Sequence, residues 1–319
     1  MDYSLEFEKP LNELAVKIAT LQQQCDPKPN EAEQLQQLMH DLQCRTEEIY
    51  AHLTSWQTVQ VARHQDRPCA TDYIRLMCED FLELHGDRSF GDDPAILAGP
   101  ASLGDINVIF ICQQTGHDIQ EKQYHNFGMP HPEGYRKSYR LMQQAAKFGF
   151  PLICLIDTPG AFPGLEDEER GQSQAIASNL YLMSHLRVPI ISVVIGEGGS
   201  GGALAIGIAD RLLMLEYSIY TVASPEAAAS ILWRDTSFAP QAAEAMHISA
   251  RKLAETKVID ELIPEPLGGA HRDHALAAHN LKTTLLRHLS DLRHIAPEDL
   301  LERRYQKFRA MGPFERYNL

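Results

Sequence analysis

A chain of 319 residues with 44% apolar and 23% charged side chains has an ordinary soluble composition and length for one large domain with an appendage. Its formal net charge of −14 excludes the basic footprint of a nucleic-acid binder, and no apolar run approaches the roughly 18 residues of a membrane span. Six scattered cysteines without a C-x-x-C, and a start MDYSLEFEKP unlike a secretory leader, predict a cytoplasmic protein with reduced thiols and no zinc ribbon.

Leu11, Leu14, Ile18 and Leu21 recur at helical spacing before DPKPN (26–30) breaks the chain. A second run keeps a seven-residue apolar period through Leu35, Leu42, Ile49 and Trp56, with Leu38 and Leu53 alongside. These segments predict an antiparallel helical hairpin, packed on the main body or docking a partner chain; an a/d seam does not name its partner. RHQDRP (63–68) is a polar connector, and a helix is expected near 71–84 before HGDRSFGDD. From residue 95 short apolar strands alternate with helices. ILAGPASL and INVIFIC flank the turn signal Gly104-Asp105, and PEGYRKSYRLMQQAAKFG (132–149) reads as a helix opened by Pro132 and closed by Gly149. PLICLI (151–156) is a buried strand, followed by the loop DTPGAFPG and a helix near 168–187. VPIISVVI is the next strand, followed by a glycine loop, a short helix, LLML and SIYTVA. Strand, small-residue loop and helix thus occur twice, which predicts an α/β fold with buried strands. From about residue 273 the chain is helical and charged. Three regions are expected: 1–86 helical, 87–270 the α/β core, and 271–319 helical.

The glycine loop GEGGSGGALAIG (196–207) matches several short motifs. Gly196, Gly198 and Gly201 fit G-x-G-x-x-G, with Glu216 as the ribose-binding acid of a dinucleotide fold, but the strand at Leu212 leaves room for only a short helix. Gly198, Ser200 and Gly202 fit G-x-S-x-G, the elbow of a serine hydrolase, with Asp260 and His271 following in the required order. Asp157 to Gly160 imitate the D-x-x-G of a GTPase, yet the chain has no Gly-Lys dipeptide and hence no phosphate cradle of that kind. A fourth reading explains both loops. Glycines at a helix N-terminus expose backbone N–H groups that can hold an oxyanion, here from Gly201 and Gly202, with DTPGAFPG as the facing wall. The chemistry is then enolate chemistry without a side-chain nucleophile.

At these residues the chain resembles the carboxyltransferase alpha subunits of bacterial acetyl-CoA carboxylase. The resemblance lies in NFGMPHPEGYRKSYRLMQQAAKFGFPLICLIDTPGAFPGLEDEERGQSQAIASNL, VIGEGGSGGALAIG, SPEAAASILW, IDELIPEPLGGAHR and the closing RRYQKF. It implies a crotonase-like α/β fold of repeated β-β-α units carrying an N-terminal helical hairpin. It also implies transfer of a carboxyl group from carboxybiotin, on its carrier protein, to acetyl-CoA, giving malonyl-CoA for fatty acid synthesis. By the same resemblance Gly201 and Gly202 hold the biotin enolate, and Gly160, Ala161, Phe162, Gly198 and Gly199 line the substrate pocket. A separate beta subunit, in an α2β2 assembly, supplies the thioester-enolate hole and the zinc ribbon. Biotin carboxylase completes the larger complex and consumes the ATP. No metal or cofactor is expected on this chain; biotin and acetyl-CoA are substrates. Gly202→Val is expected to abolish transfer while folding survives.

The segment CQQTGHDIQEKQYH departs from the family pattern: His117 stands where a basic residue usually follows the glycine, with Gln113, Gln114 and Gln120 nearby. Lost charge there predicts weaker contact with CoA phosphates or an acidic carrier, and leaves open a specialised paralog with another acyl acceptor. Arg136, Lys137 and Arg140 are expected to keep a basic helix face, or simply a solvated one. His271 reads as a loop histidine bonded to backbone, Trp233 as core or interface packing, and Glu166 to Glu169 as the acidic opening of a helix.

Overall fold

The computed structural model describes residues 3–23 and 29–312, with Cys25 outside that range. Helices α1 (Lys9–Gln22) and α2 (Pro29–Ala51) form the expected hairpin, with Leu11, Leu14 and Ile18 buried in it. The seven-residue seam ends earlier than expected. Thr54 and Gln57 exchange side-chain and backbone hydrogen bonds of 3.2 and 2.8 Å as a capping box, so a new helix, α3 (Ser55–Ala62), begins there and takes Trp56.

Helix α4 (Ala70–Met77) also stops short of the expected residue 84. Beyond it the chain runs along strand β1 (Ile96–Leu103), with Leu82 and Leu84 donating to Pro100 and Ala98 carbonyls at 3.0 and 2.8 Å. Gly99 permits this approach, since a Cβ there would lie 1.9 Å from the Leu82 carbonyl oxygen. The edge-strand backbone needs those partners more than residues 79–84 need helix.

β1 turns at Gly104 into antiparallel β2 (Ile106–Gln113). Then follow α5 (Ile119–Tyr124), α6 (Pro132–Phe148), β3 (Leu152–Thr158), α7 (Leu165–Glu169) and α8 (Gln172–His185). The single helix expected near 168–187 is thus two, divided where Gly171 adopts φ 83°. β4 (Ile190–Gly199) runs on through the first residues of the glycine loop, because Glu197 to Gly199 pair with β6. α9 (Ser200–Leu204), β5 (Arg211–Leu215), β6 (Ile219–Thr221), α10 (Pro225–Trp233), α11 (Ala239–Ala245), α12 (Ala250–Glu255), β7 (Glu261–Ile263), α13 (His274–Leu292) and α14 (Pro297–Ala310) complete the described chain.

The sheet order is β1-β2-β3-β4-β5-β7, with β6 pairing beside the end of β4; every pairing after β1–β2 is parallel. Strand residues alternate between two cores. Phe110, Ile153, Leu155, Val193 and Leu213 face α4 and α13, while Ile111, Cys154, Ile156, Val194 and Met214 face α6 and α8. Both faces are covered, which is why these strands read as continuous apolar runs. Among the described residues no helix is long and apolar enough to cross a membrane. Trp233 is not core: it stacks on Phe238 (5.8 Å) at the surface beside exposed Ile231 and Leu232.

Candidate active site

β3 and β4 run parallel and deliver their two small-residue loops to the same sheet edge, with Thr158 opposite Gly198 after a register shift. The Thr158 hydroxyl donates to the Gly160 carbonyl at 2.7 Å and accepts the Gly160 N–H at 3.0 Å, which tightens the first loop. Its backbone lies against the second loop. A Cβ on Gly199 would lie 2.2 Å from the Pro159 oxygen, and one on Gly202 would lie 2.5 Å from the Gly160 carbonyl carbon. Much of the glycine content therefore serves contact between the two loops. Gly201 differs: a Cβ there would meet only Ile176 Cδ1, at 3.8 Å, and the residue is half-buried beside exposed Ser200.

Gln113, at the end of β2, brackets both loops. Its Nε2 donates to the Gly202 carbonyl at 2.8 Å, and its Oε1 accepts the Asp157 N–H at 3.2 Å. Asp157 in turn accepts the Glu197 N–H at 2.9 Å and the Thr115 hydroxyl at 3.2 Å. Burial pushes its carboxyl up to about 6, against the opposing pull of the Glu197 N–H and Arg67. Beyond Asp157 lies a cleft of about 180 Å³ bordered by Arg63, His64, Cys69, Lys122 and Glu197. Arg63 grips Glu197 bidentately at 2.6 and 2.8 Å, and Arg67 donates to the Ile195 carbonyl at 2.8 Å while pairing with buried Glu265. These ties fix the end of β4, and hence the glycine loop.

The structure brings Gly160, Ala161, Phe162, Gly198, Gly199, Gly201 and Gly202 into one region. Phe162 is held by its N–H to Pro130 O (3.1 Å) and by Gln172, which donates to both carbonyls. The expectation that Gly202→Val spares folding is corrected, since its Cβ has no room. The hydrolase constellation is not assembled. Asp260 accepts the Leu212 N–H at 2.6 Å and pairs with Lys307. His271 stacks on His64 at 3.9 Å, with neither ring nitrogen hydrogen-bonded among the described residues, so it is not the backbone-bonded histidine expected. Burial above all, with nearby His64 and Arg272, lowers its pKa to about 2, leaving a neutral ring.

The altered segment also reads differently in three dimensions. Gln113 is the buried bracket, and Gln114 is buried with its Oε1 on the Thr71 N–H at 3.0 Å; neither position holds a surface charge to lose. Lys137 is fully buried, donating to Asp92 at 2.7 Å and to the Asp93 carbonyl at 2.9 Å, so it leaves the basic face to Arg136 and Arg140. Within the acidic run Asp167 is buried, tying His131 (2.5 Å) and Arg170 (3.0 Å) to the loop. The roles of Gln113 and Asp157, and the Arg63 and Arg67 pairs, escaped the sequence reading because the partners lie 40 or more positions away. The one available signal was a polar residue after an apolar run near a strand's end, as Gln113 follows VIFIC and Asp157 follows LICLI.

Residues 4–312 match the family model described as acetyl co-enzyme A carboxylase carboxyltransferase-like. Acetyl-coenzyme A carboxylase carboxyl transferase subunit alpha of Geobacter metallireducens is 54% identical over 98% of both chains, and that of Methylococcus capsulatus is 52% identical over 98% of this chain and 97% of its own. The chain belongs to this carboxyltransferase family. Solved structures share its fold at low identity, confirming the crotonase-like architecture. A Pseudomonas malonate decarboxylase hetero-tetramer in complex with coenzyme A superposes with TM-score 0.60 at 18% identity, over 73% of this chain and 90% of its own. The transcarboxylase 12S core, with methylmalonyl-coenzyme A bound, gives 0.53 at 22% over 67% and 41%.

Proposed function

We propose that the chain is the alpha subunit of an acetyl-CoA carboxylase carboxyltransferase, moving the carboxyl group of carboxybiotin, borne on a biotin carboxyl carrier protein, to acetyl-CoA to give malonyl-CoA. The observation that carries this reading is full-length identity above 50% to alpha subunits, together with a small-residue loop opening at Gly201. Backbone N–H groups of Gly201 and Gly202, in the first turn of α9, face the ureido oxygen of biotin and stabilise the negative charge that develops there. Gly160, Ala161, Phe162, Gly198 and Gly199 shape the wall on which biotin rests. A beta subunit supplies the second oxyanion hole and the zinc ribbon, because one hole does not hold two enolates. An α2β2 assembly meets that need, with biotin carboxylase as a separate partner. Free thiols at all five described cysteines suit a cytoplasmic setting.

Malonyl-CoA decarboxylation with free biotin, run on the chain alone and mixed with its beta subunit, tests the reading. Activity is expected only in the mixture. Gly201→Ala has room for its methyl, so it keeps the fold, while a displacement of about 1 Å at the reacting atoms costs about a hundredfold in rate. Ser200→Gly, which relieves a residue at φ 55°, is expected to retain transfer. Undiminished turnover in Gly201→Ala removes that residue from the hole, and a dead Ser200→Gly restores a serine nucleophile. A mixture that assembles yet stays inactive overturns the acetyl-CoA assignment itself.

A further inference from the structure

We propose that Cys69, Asp72 and His117 bind a borderline-soft divalent cation of the zinc class, clamping the first turn of α4 to the loop after β2. This departs from the expectation of a chain without metal, and it stands apart from the transfer chemistry. Cys69 immediately precedes α4 and Asp72 lies in its first turn, so thiol and carboxylate share one side; the Cys69 N–H donates to Asp72 Oδ2 at 2.9 Å. His117 arrives from the other element with Nε2 2.7 Å from the same oxygen. Sulfur, carboxylate oxygen and ring nitrogen all lie within 4.8 Å of one another.

Thiolate, imidazole and carboxylate form the donor set of Zn²⁺, whereas Mg²⁺ and Ca²⁺ take oxygen ligands. Surrounding groups orient the imidazole and the carboxylate. The Gln65 carbonyl faces His117 Nδ1 at 3.4 Å, which turns Nε2 toward the site; Arg75 holds Asp72 Oδ1 at 3.1 Å, so that Oδ2 is the oxygen on the side of Cys69 and His117. The adjoining cleft, bordered by Gln65, Cys69, Thr115 and Gly116, gives space for a water as fourth ligand. Without an ion, a proton lies between His117 and Asp72, and burial raises the thiol pKa to about 11. Binding releases the thiol proton and the shared proton to solvent as the cation takes their place. The exposed Cys44 lies 3.6 Å from His40 Nε2 along α2, but among the described residues no third ligand joins that pair.

Cobalt(II) titration of the chelator-stripped full chain, in a Cys44→Ser background, tests the site. One equivalent is expected, with a thiolate-to-cobalt charge-transfer band that Cys69→Ser abolishes. His117→Gln, at a half-exposed position, is expected to weaken binding by more than about tenfold and decides the matter should Cys69→Ser not fold. Absence of the band in the Cys44→Ser chain, its survival in Cys69→Ser, or unchanged affinity in His117→Gln overturns the proposal.

Discussion

Asp157 shows how one side chain registers both the fold and the site. Its carboxylate is anchored by the Glu197 N–H and the Thr115 hydroxyl, yet burial lifts its pKa to about 6, above the usual carboxylate value near 3.9. The native state therefore holds this proton at pH values where the unfolded chain has released it. Its contribution to stability falls as pH rises from about 4 through 6 and stays low above that. Asp157→Asn keeps an oxygen for the Glu197 N–H and has no proton to lose. Urea denaturation of both proteins from pH 4 to 7 is expected to show the variant gaining on the wild type by up to about 3 kcal/mol across that range. Parallel stability profiles would mean that Asp157 titrates as an ordinary carboxyl. The glycines make the complementary point: at Gly199 and Gly202 a missing side chain makes room for the chain's own backbone, and at Gly201 the space faces outward.

At the scale of elements, the site is a junction of three strand ends. β3 and β4 supply the loops, and β2 supplies Gln113, whose amide spans Asp157 N–H and the Gly202 carbonyl. Gln113→Met keeps length and volume while leaving both backbone groups without that partner. Each orphaned buried group costs about 1–3 kcal/mol, so a lowered denaturation midpoint and faster hydrogen exchange at the Asp157 amide are expected. Wild-type stability would show that glycine packing alone holds the two loops. The short α9 follows from the same junction: β5 begins at Arg211, so the chain has little length between the glycine loop and the next strand.

At the scale of the whole molecule, the terminal helix is locked to the sheet by one residue of the RRYQKF segment. Arg304 is almost completely buried; it forks onto Asp210 at 2.8 Å twice and donates to the Met183, Leu186 and Val188 carbonyls. Asp210 also accepts the Ile190 N–H at 2.8 Å, so the network joins α14, α8 and the start of β4. Removing one member strands a buried charge, and Arg304→Ala is expected to cost about 3–5 kcal/mol by chemical denaturation. Arg304→Lys restores little, because an ammonium lacks the planar fork. A loss below about 1 kcal/mol would make α14 a peripheral attachment.

Sequence alone determined the alternation of buried strands and helices, the Gly104 hairpin, the N-terminal helical pair and the family, because periodicity and ordered motifs are local or linear signals. It also placed both loops between a strand and a helix. Tertiary structure decided where α4 ends, since the edge of β1 claims Leu82 and Leu84, and where β4 ends, since β6 pairs with Glu197 to Gly199. It also turned Lys137 inward onto Asp92, made Gln113 a bracket rather than a lost charge, and separated Ser200, Asp260 and His271 into different surroundings. Those outcomes rest on hydrogen bonds and burial between residues tens of positions apart, and such partners are set by how the sheet assembles.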